Sequence, residues 1–273
     1  MTVTALPGHA MNGLRSVATR LSGLVAPVVG LAVVLVALDS LSRFDVIPRA
    51  SFPPVTEIFD RLWDLLRTKE YWLTIGRTMR AWGIAMIIAG LIAVPLGMLI
   101  GSNRTGYLAS KLTIDFLRPI PSVALIPLLV LIYGTRPTLK ITLAVIGAVF
   151  PLLFQAMYGV RDVDPVARDT VRSFGLSRWQ RIRAVVLPTC GPFLLTGLRI
   201  SSSIALILVV TGEYIVGIPG IGQATFLAQN SAAYQSMYAW VVTAGIVGLV
   251  LNSGFQFAER RTLFWHESQR GTE

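Results

Sequence analysis

Charge is what this chain has least of. Only 14% of its 273 residues are Asp, Glu, Lys or Arg, against about 25% in an ordinary soluble domain, which leaves too little polar surface for a globule solvated by water. Cysteine is nearly missing as well. Cys190 stands alone, so no intrachain disulfide can close and the redox compartment is not indicated. The two histidines, His9 and His266, sit isolated near the ends, and with one cysteine they supply no metal-ligand spacing. Lysine is scarce too: Lys69, Lys111 and Lys140 each follow a residue other than Gly and precede Glu, Leu and Ile. The Gly-Lys-Ser or Gly-Lys-Thr of a phosphate-binding loop is therefore lacking, and the chain is not itself an ATPase. No cluster of His, Asp and Glu marks it as a membrane enzyme.

What is abundant is apolar sequence. Hydrophobic residues make up 53% of the chain and the mean hydropathy is +0.65. Runs of the length that crosses a roughly 30 Å hydrocarbon layer, about 20 residues each, recur along it. Six spans are predicted, Leu21 to Leu38, Ala81 to Gly101, Pro119 to Tyr133, Ile141 to Val160, Pro192 to Gly212 and Met237 to Ala258. The runs are continuous and do not alternate with period two, so the expected class is all-α and polytopic, not a barrel. The first run, extending to Leu38 and meeting Asp39 and Arg43, reads as a retained helix; the apolar region of a secretory signal is shorter and ends at a small-residue cleavage site. The third run holds Pro119, Pro121 and Pro127, which leave carbonyls for neighbouring helices to satisfy.

Six spans put both termini on one side, and the distribution of Arg and Lys selects the cytoplasm. The inner segments then carry Arg15 and Arg20, Arg104 to Arg118, the six arginines from Arg161 to Arg183, and Arg260, Arg261 and Arg270. Only the first outer loop, Arg43 to Arg77, opposes the rule, with its bases interleaved among acids. The organisation expected is a cytoplasmic tail over 1–20, one transmembrane domain over 21–258, a cytoplasmic loop over 161–189 and a cytoplasmic tail over 259–273. After "FPP" in the first outer loop, Val55, Ile58, Phe59, Leu62, Leu65 and Leu66 recur at helical spacing and predict a surface helix that either caps the bundle or docks a partner. The basic pI, near 10.5, reflects arginines placed between spans, where topology and lipid headgroups explain them without nucleic acid.

One stretch interrupts the apolar pattern: "DTVRSFGLSRWQRIRAVVLP", Asp169 to Pro188. Val166, Thr170 and Phe174, with Ala167 and Val171, recur at i, i+4 opposite Arg161, Arg168 and Arg172, which predicts a short amphipathic helix. Gly175 permits the left-handed turn that ends it. A second amphipathic segment with Trp179, Ile182 and Val186 on one stripe follows, and Pro188 is expected to stop it and start the next span. Such an elbow either lies on anionic lipid or docks a cytoplasmic partner.

The stretch resembles the EAA loop of permease subunits of bacterial binding-protein-dependent ABC importers, Glu-Ala-Ala, three residues, Gly, nine residues, Ile, any residue, Leu-Pro. Asp169, Thr170 and Val171 stand at the Glu-Ala-Ala places, Gly175 at the Gly, Val185 at the Ile, and Leu187 and Pro188 at the Leu-Pro. "FPPVTEIF", "GLRIS", "TGEY", "GIPGIGQATFLAQ" and "FAERRTLFWH" resemble successive landmarks of the branch that moves sulfonates, taurine, nitrate, bicarbonate and some nitrogenous vitamins or precursors. The resemblance implies the type I ABC importer transmembrane-domain fold in the bacterial inner membrane. It implies a pore of two permease subunits, commonly a homodimer, with two cytoplasmic ATPase subunits that use ATP and magnesium and an extracytoplasmic solute-binding protein; this chain itself would bind no cofactor. The helix before Gly175 would be the coupling helix, with Phe174 and Trp179 as apolar anchors and Asp169 and Arg172 as polar contacts.

Four pathway positions follow. Arg199 lies eleven residues beyond Pro188, about 16 Å along a helix. A charge at that depth costs roughly 2.5 to 3.5 kcal/mol on insertion scales, so Arg199 either attracts an anionic solute or is paired structurally. Pairing is the stronger reading, because "GLR" resembles members with different substrates. Of Ser201, Ser202 and Ser203, one either lines the pore or bonds a neighbouring helix; Ser202 is the candidate. Glu213 is expected at the outer mouth, as gate or anchor, and Gly220 in the "GIPGIG" turn, as part of an outer gate or a plain connection. The competing class is a self-sufficient secondary transporter or channel, which would normally show intramembrane carboxylates or inverted repeats; the span interiors carry only Arg199 and no internal repeat is visible.

Overall fold

A computed structural model of the chain describes residues 29–30, 32–44, 48, 51–117 and 120–262. Leu21 to Val28 of the first predicted span, Arg15, Arg20, His9, Pro119, His266 and Arg270 lie outside them, as do the side chains of Lys111 and Asp115. Among the described residues all regular structure is helical. Residues 1–63 and 64–273 form two compact units. In the first, residues 32–43 are helical, Arg43 pairs with Asp39 at 2.6 Å and donates to Thr56 Oγ1, and Ser42 Oγ donates to the Phe52 carbonyl. These bonds hold the approach to helix α1, Val55–Leu66, which begins where the sequence predicted it, directly after Pro53 and Pro54. Its apolar stripe is only partly covered: Ile58 and Leu62 are buried, whereas Phe59 and Trp63 are exposed.

The second unit is built on three long helices. α2, Lys69–Ser102, has 34 residues and is about 51 Å long, well beyond the hydrocarbon thickness. It starts twelve residues ahead of the predicted span because Thr68 caps it, accepting from the Tyr71 amide, and because Arg77 pairs with Glu70 on the polar early turns. α3, Arg104–Leu117, follows after the single break at Asn103, whose side chain accepts from the Thr105 amide. No helix was predicted there. The third predicted span divides into a 3₁₀ turn, Ser122–Leu125, and α4, Ile126–Tyr133, with Pro121 before the one and Pro127 in the first turn of the other. Prolines tolerate only such early positions. The twelve residues cover about 20 Å, less than a bilayer core.

α5, Pro137–Arg161, runs through the middle, with α2 on one side and α8 (Leu187–Val216) on the other. The core is made of small and branched residues from all three, including Ala85 and Ala89, Leu143 and Ala148, and Ala205 and Val209. Gly97 and Gly101 let α2 approach the α5 backbone: an added methyl on Gly97 would lie 2.6 Å from the Leu153 carbonyl oxygen and one on Gly101 2.7 Å from that of Met157. Close backbone approach over small residues is how helices associate in lipid, where the solvent supplies no hydrophobic drive. α9, Ile221–Asn230, and α10, Tyr234–Thr262, complete the unit. Tyr71 ties α2 to α10, stacking on Trp240 with centroids 5.1 Å apart and bonding Thr243 Oγ1 at 3.1 Å. α2, α5, α8 with its flanking segments, and α10 are the four described helices long and apolar enough to cross a membrane.

Between α5 and α8 lies the elbow. α6, Pro165–Ser173, is capped by Asp164, which accepts from the Val166 amide. α7, Arg178–Arg181, opens with a Ser177–Gln180 capping box. The prediction that Pro188 stops this second segment is corrected by a π turn, Ile182–Val186, through which the helix runs on into α8. Proline removes an amide donor and clashes with the carbonyl four residues back. Here the Leu187 amide bonds five residues back to the Ile182 carbonyl, and that wider register accommodates Pro188 within a continuous helix.

Candidate functional site

At the elbow the predicted apolar stripe divides. Ala167, Val171 and Leu176 are half-buried, while Val166, Phe174 and Trp179 are exposed to 70%, 78% and 69%. Gly175 takes φ +68, the left-handed conformation that suits glycine. Around it the Phe174, Gly175 and Leu176 amides return to the Thr170, Arg172 and Val171 carbonyls. Asp169 and Arg172 are exposed beside Phe174, and Leu187 and Pro188 are exposed at the start of α8. Arg168 donates to the Val160 carbonyl at 3.2 Å, and the Arg161 guanidinium lies 3.8 Å from the Tyr107 ring centroid. The elbow is thus internally well bonded, continuous with α8, and crowned by large apolar side chains without cover among the described residues.

The opposite end is arranged otherwise. Glu213 is completely buried, and Lys140, itself 2% exposed, pairs with it at 2.5 Å. Thr78 Oγ1 lies 2.9 Å from both carboxylate oxygens, and the Gly222 amide donates to Oε2 at 3.1 Å. Lys140 also donates to the Pro219 carbonyl at 2.8 Å, and the Ile221 amide to Thr78 Oγ1 at 3.0 Å. One carboxylate thereby joins α2, α5, α8 and the N-terminus of α9, where the free amides and helix dipole favour negative charge. Gly217, at φ +76, ends α8 in the left-handed region and turns the chain back over Glu213. Gly220 passes so close that an added methyl would overlap the carboxylate. Lys140 and Thr78 were not predicted. A lysine only three residues inside a proline-started apolar helix was the signal available for the first; Thr78 had none.

Between the two ends, Ser201 Oγ donates to the Ala148 carbonyl at 2.7 Å. Ser202 is buried and its carbonyl accepts from the Trp82 indole at 3.1 Å; Ser203 bonds back to the Arg199 carbonyl. Arg199 meets Glu259 of α10 at 3.3 Å, an acid of the segment expected to be the terminal tail, which α10 includes as far as Thr262. A cavity of about 420 Å³ opens between α5, α8 and the 3₁₀ turn, walled by Ser122, Phe150, Phe154, Gln155, Tyr158 and Ile204. Phe154 and Tyr158 stack there with centroids 6.3 Å apart. Arg199, Ser202, Glu213 and Gly220 do not line it. Among the described residues no group of three or more His, Cys, Asp or Glu is placed to hold a metal ion.

Long apolar helices packed through glycine and an elbow with uncovered apolar side chains define the class: a membrane-embedded helical subunit. Comparison with known proteins makes the assignment specific. Residues 93–262 match the family described as binding-protein-dependent transport system inner membrane component, and the chain belongs to that family. It is 30% identical over 185 residues to a protein named as an ABC transporter permease in Methanocaldococcus jannaschii, covering 67% of this chain and 69% of that one. It is 27% identical over 241 residues to the taurine transport system permease protein of Escherichia coli, covering 86% and 88%. The structure of a bacterial ABC transporter involved in the import of the acidic polysaccharide alginate contains a chain of the same fold, with TM-score 0.60, 17% identity, and 93% and 95% coverage. The fold is that of a type I ABC importer transmembrane domain, and this protein is the membrane-spanning permease subunit of an ATP-driven importer.

Proposed function

We propose that two copies of this chain pair to form the pore, with their 161–189 loops seated on a pair of cytoplasmic ATPase subunits that bind ATP and magnesium. An extracytoplasmic solute-binding protein delivers a small anionic or polar solute to the opposite face. Both termini lie in the cytoplasm, as the arginine distribution supports. The observation that carries this reading is the exposure of Phe174 and Trp179 on a capped elbow whose second half runs unbroken into α8. Buried aromatic anchors are the usual centres of protein interfaces, and a continuous helix transmits a displacement of the elbow to the membrane. Asp169 and Arg172 flank the anchors as polar contacts, Gly175 sets the turn between the two halves, and Leu187 and Pro188 begin the helix that receives the motion.

Relatives named for taurine, aliphatic sulfonates and nitrate import support a small oxyanion or sulfonate as cargo. The 420 Å³ cavity is within the usual size range for small-molecule sites. Glu213 and Gly220 hold the outer loop in place, and Ser202 and Arg199 fix α8 against α2 and α10 beside the path.

The test is purification of the tagged chain from its native membrane, wild type beside Gly175→Pro, with identification of co-purifying chains and assay of ATP hydrolysis. Proline is excluded from the φ that residue 175 adopts, so the variant should lose an ATPase that the wild type retains. Wild type that purifies alone after gentle solubilisation and crosslinking, without ATP hydrolysis, would overturn the reading.

A further inference from the structure

Beside the elbow lies a second space that the import reading leaves unused. It is a groove of about 780 Å³ between the inner half of α2 and the α7–π segment. One wall is Val94, Met98 and Leu99 of α2; the other is Ile182 and Val186 of the π turn; Arg168, Arg178 and Arg181 stand around it. Leu99 is 68% exposed, so this wall opens outward from a membrane-spanning helix.

The arginines carry unspent hydrogen-bonding capacity. Arg181 Nε is buried with no hydrogen-bond partner among the described residues. Of the three side chains, only that of Arg168 makes a described hydrogen bond, and that is a single one, to the Val160 carbonyl; no described ion pair joins any of them to an acid. A buried guanidinium nitrogen without an acceptor costs more than an ordinary unmade hydrogen bond, because the group is charged. Arg168 and Arg178 stand exposed beside it, so the partnerless buried nitrogen belongs to a group of three cations that together suit an anion with several acceptor oxygens, and guanidinium forks match phosphate geometry. The adjoining wall, however, is apolar and belongs to a span, where no water or open backbone is available to fill it. A ligand that satisfies both halves has a phosphate at one end and hydrocarbon at the other.

We infer that this groove binds one anionic phospholipid, its phosphate held by Arg168, Arg178 and Arg181 and an acyl chain laid along Val94, Met98, Leu99, Ile182 and Val186. Basic pockets between membrane helices beside the interface are suited to such headgroups. The site falls on the π turn, where the helix joining elbow to span departs from regular geometry, so the lipid packs against the transmitting segment itself. Trp179 also lines the groove, which makes its ring a shared wall between the lipid and the proposed ATPase surface.

The full chain in nanodiscs, analysed by native mass spectrometry after exchange into mild detergent, tests this with phosphatidylglycerol and phosphatidylcholine of identical acyl chains as probes. The expected result is a one-lipid adduct with phosphatidylglycerol. It should weaken on the order of tenfold or more in Arg178→Ala/Arg181→Ala and be lost in Leu99→Trp, which fills the apolar wall. Excess inorganic phosphate should fail to displace the lipid; displacement together with binding unaffected by Leu99→Trp would identify the site as one for a free anion and overturn the proposal. Equal retention of the two lipids, or equal retention by wild type and the double variant, would overturn it as well. An unchanged unfolding temperature of each variant in phosphatidylcholine separates loss of the site from loss of the fold. None of these outcomes depends on an ATPase being present, so the result stands apart from the coupling test.

Discussion

The two ends of the α5–α8 pair handle polar and apolar groups in opposite ways. At the Glu213 end a charge is fully buried, and Lys140, Thr78, the Gly222 amide and the first turn of α9 satisfy it from within the chain. At the elbow the charges are exposed, the large apolar side chains Phe174 and Trp179 face outward, and a guanidinium nitrogen of Arg181 is buried without a partner among the described residues. On the proposed reading, the end that completes its own bonds is a fixed point and the end that leaves them open is completed by other molecules, so that the same three-helix core is held at one extremity and driven from the other.

The largest expected effect breaks the closed end. Lys140→Met removes the cation while leaving Glu213 buried, and severing one partner of a buried pair costs about 3 to 5 kcal/mol. Thermal unfolding in detergent should show a clear loss of stability, with restoration of much of it in Lys140→Met/Glu213→Leu, since an apolar replacement of both partners removes the uncompensated charge. A single variant as stable as wild type would mean that the pair is not what secures the Gly217–Gly222 turn. At the open end the same kind of truncation should leave the fold alone. Phe174→Ala deletes a ring that is 78% exposed, so unfolding should shift by no more than about 0.5 kcal/mol. Binding of the ATPase, if the ring is an anchor, should weaken by about 2 kcal/mol, roughly thirtyfold. Equal losses in stability and binding would place Phe174 in the core of the elbow and dissolve the contrast between the two ends.

The contrast was only half legible in the sequence. The elbow could be read because its signals are local: an i, i+4 stripe, a glycine at the turn, and a proline at the join. Even there the π turn escaped, since whether a proline breaks a helix or is absorbed depends on hydrogen-bond register, which composition does not encode. Apolar runs gave away α5, α8 and α10 for the same local reason. α2 was found short by twelve residues, because its first turns are polar and are held by the Thr68 cap and the Glu70–Arg77 pair. The closed end was opaque. Glu213 could be singled out as a carboxylate beside a span, but its partners come from 135 and 73 residues away, and no spacing rule links such positions. Lys140 stands one residue ahead of the predicted span at Ile141, and nothing local in the sequence shows that its ammonium is buried against Glu213.

Arg199 occupies the middle of this gradient and offers the smallest and sharpest test. Its side chain is 34% exposed and that of Glu259 20%, so the pair is neither sealed like Lys140–Glu213 nor, like the arginines of the groove, without an acid partner among the described residues. Ion pairs of that exposure contribute at most about 1 kcal/mol. If the role of Arg199 is to fasten α8 to α10, then Arg199→Met, Glu259→Gln and the double variant should each lower stability by less than about 1 kcal/mol, with the double no worse than the worse single. Transport KM for an anionic solute should then be the same in all four proteins. If Arg199 instead attracts the solute, Arg199→Met should raise KM, while Glu259→Gln, which frees the guanidinium, should lower it. The two roles thus move KM in Glu259→Gln differently, and that variant decides between them even if the stability changes are too small to resolve.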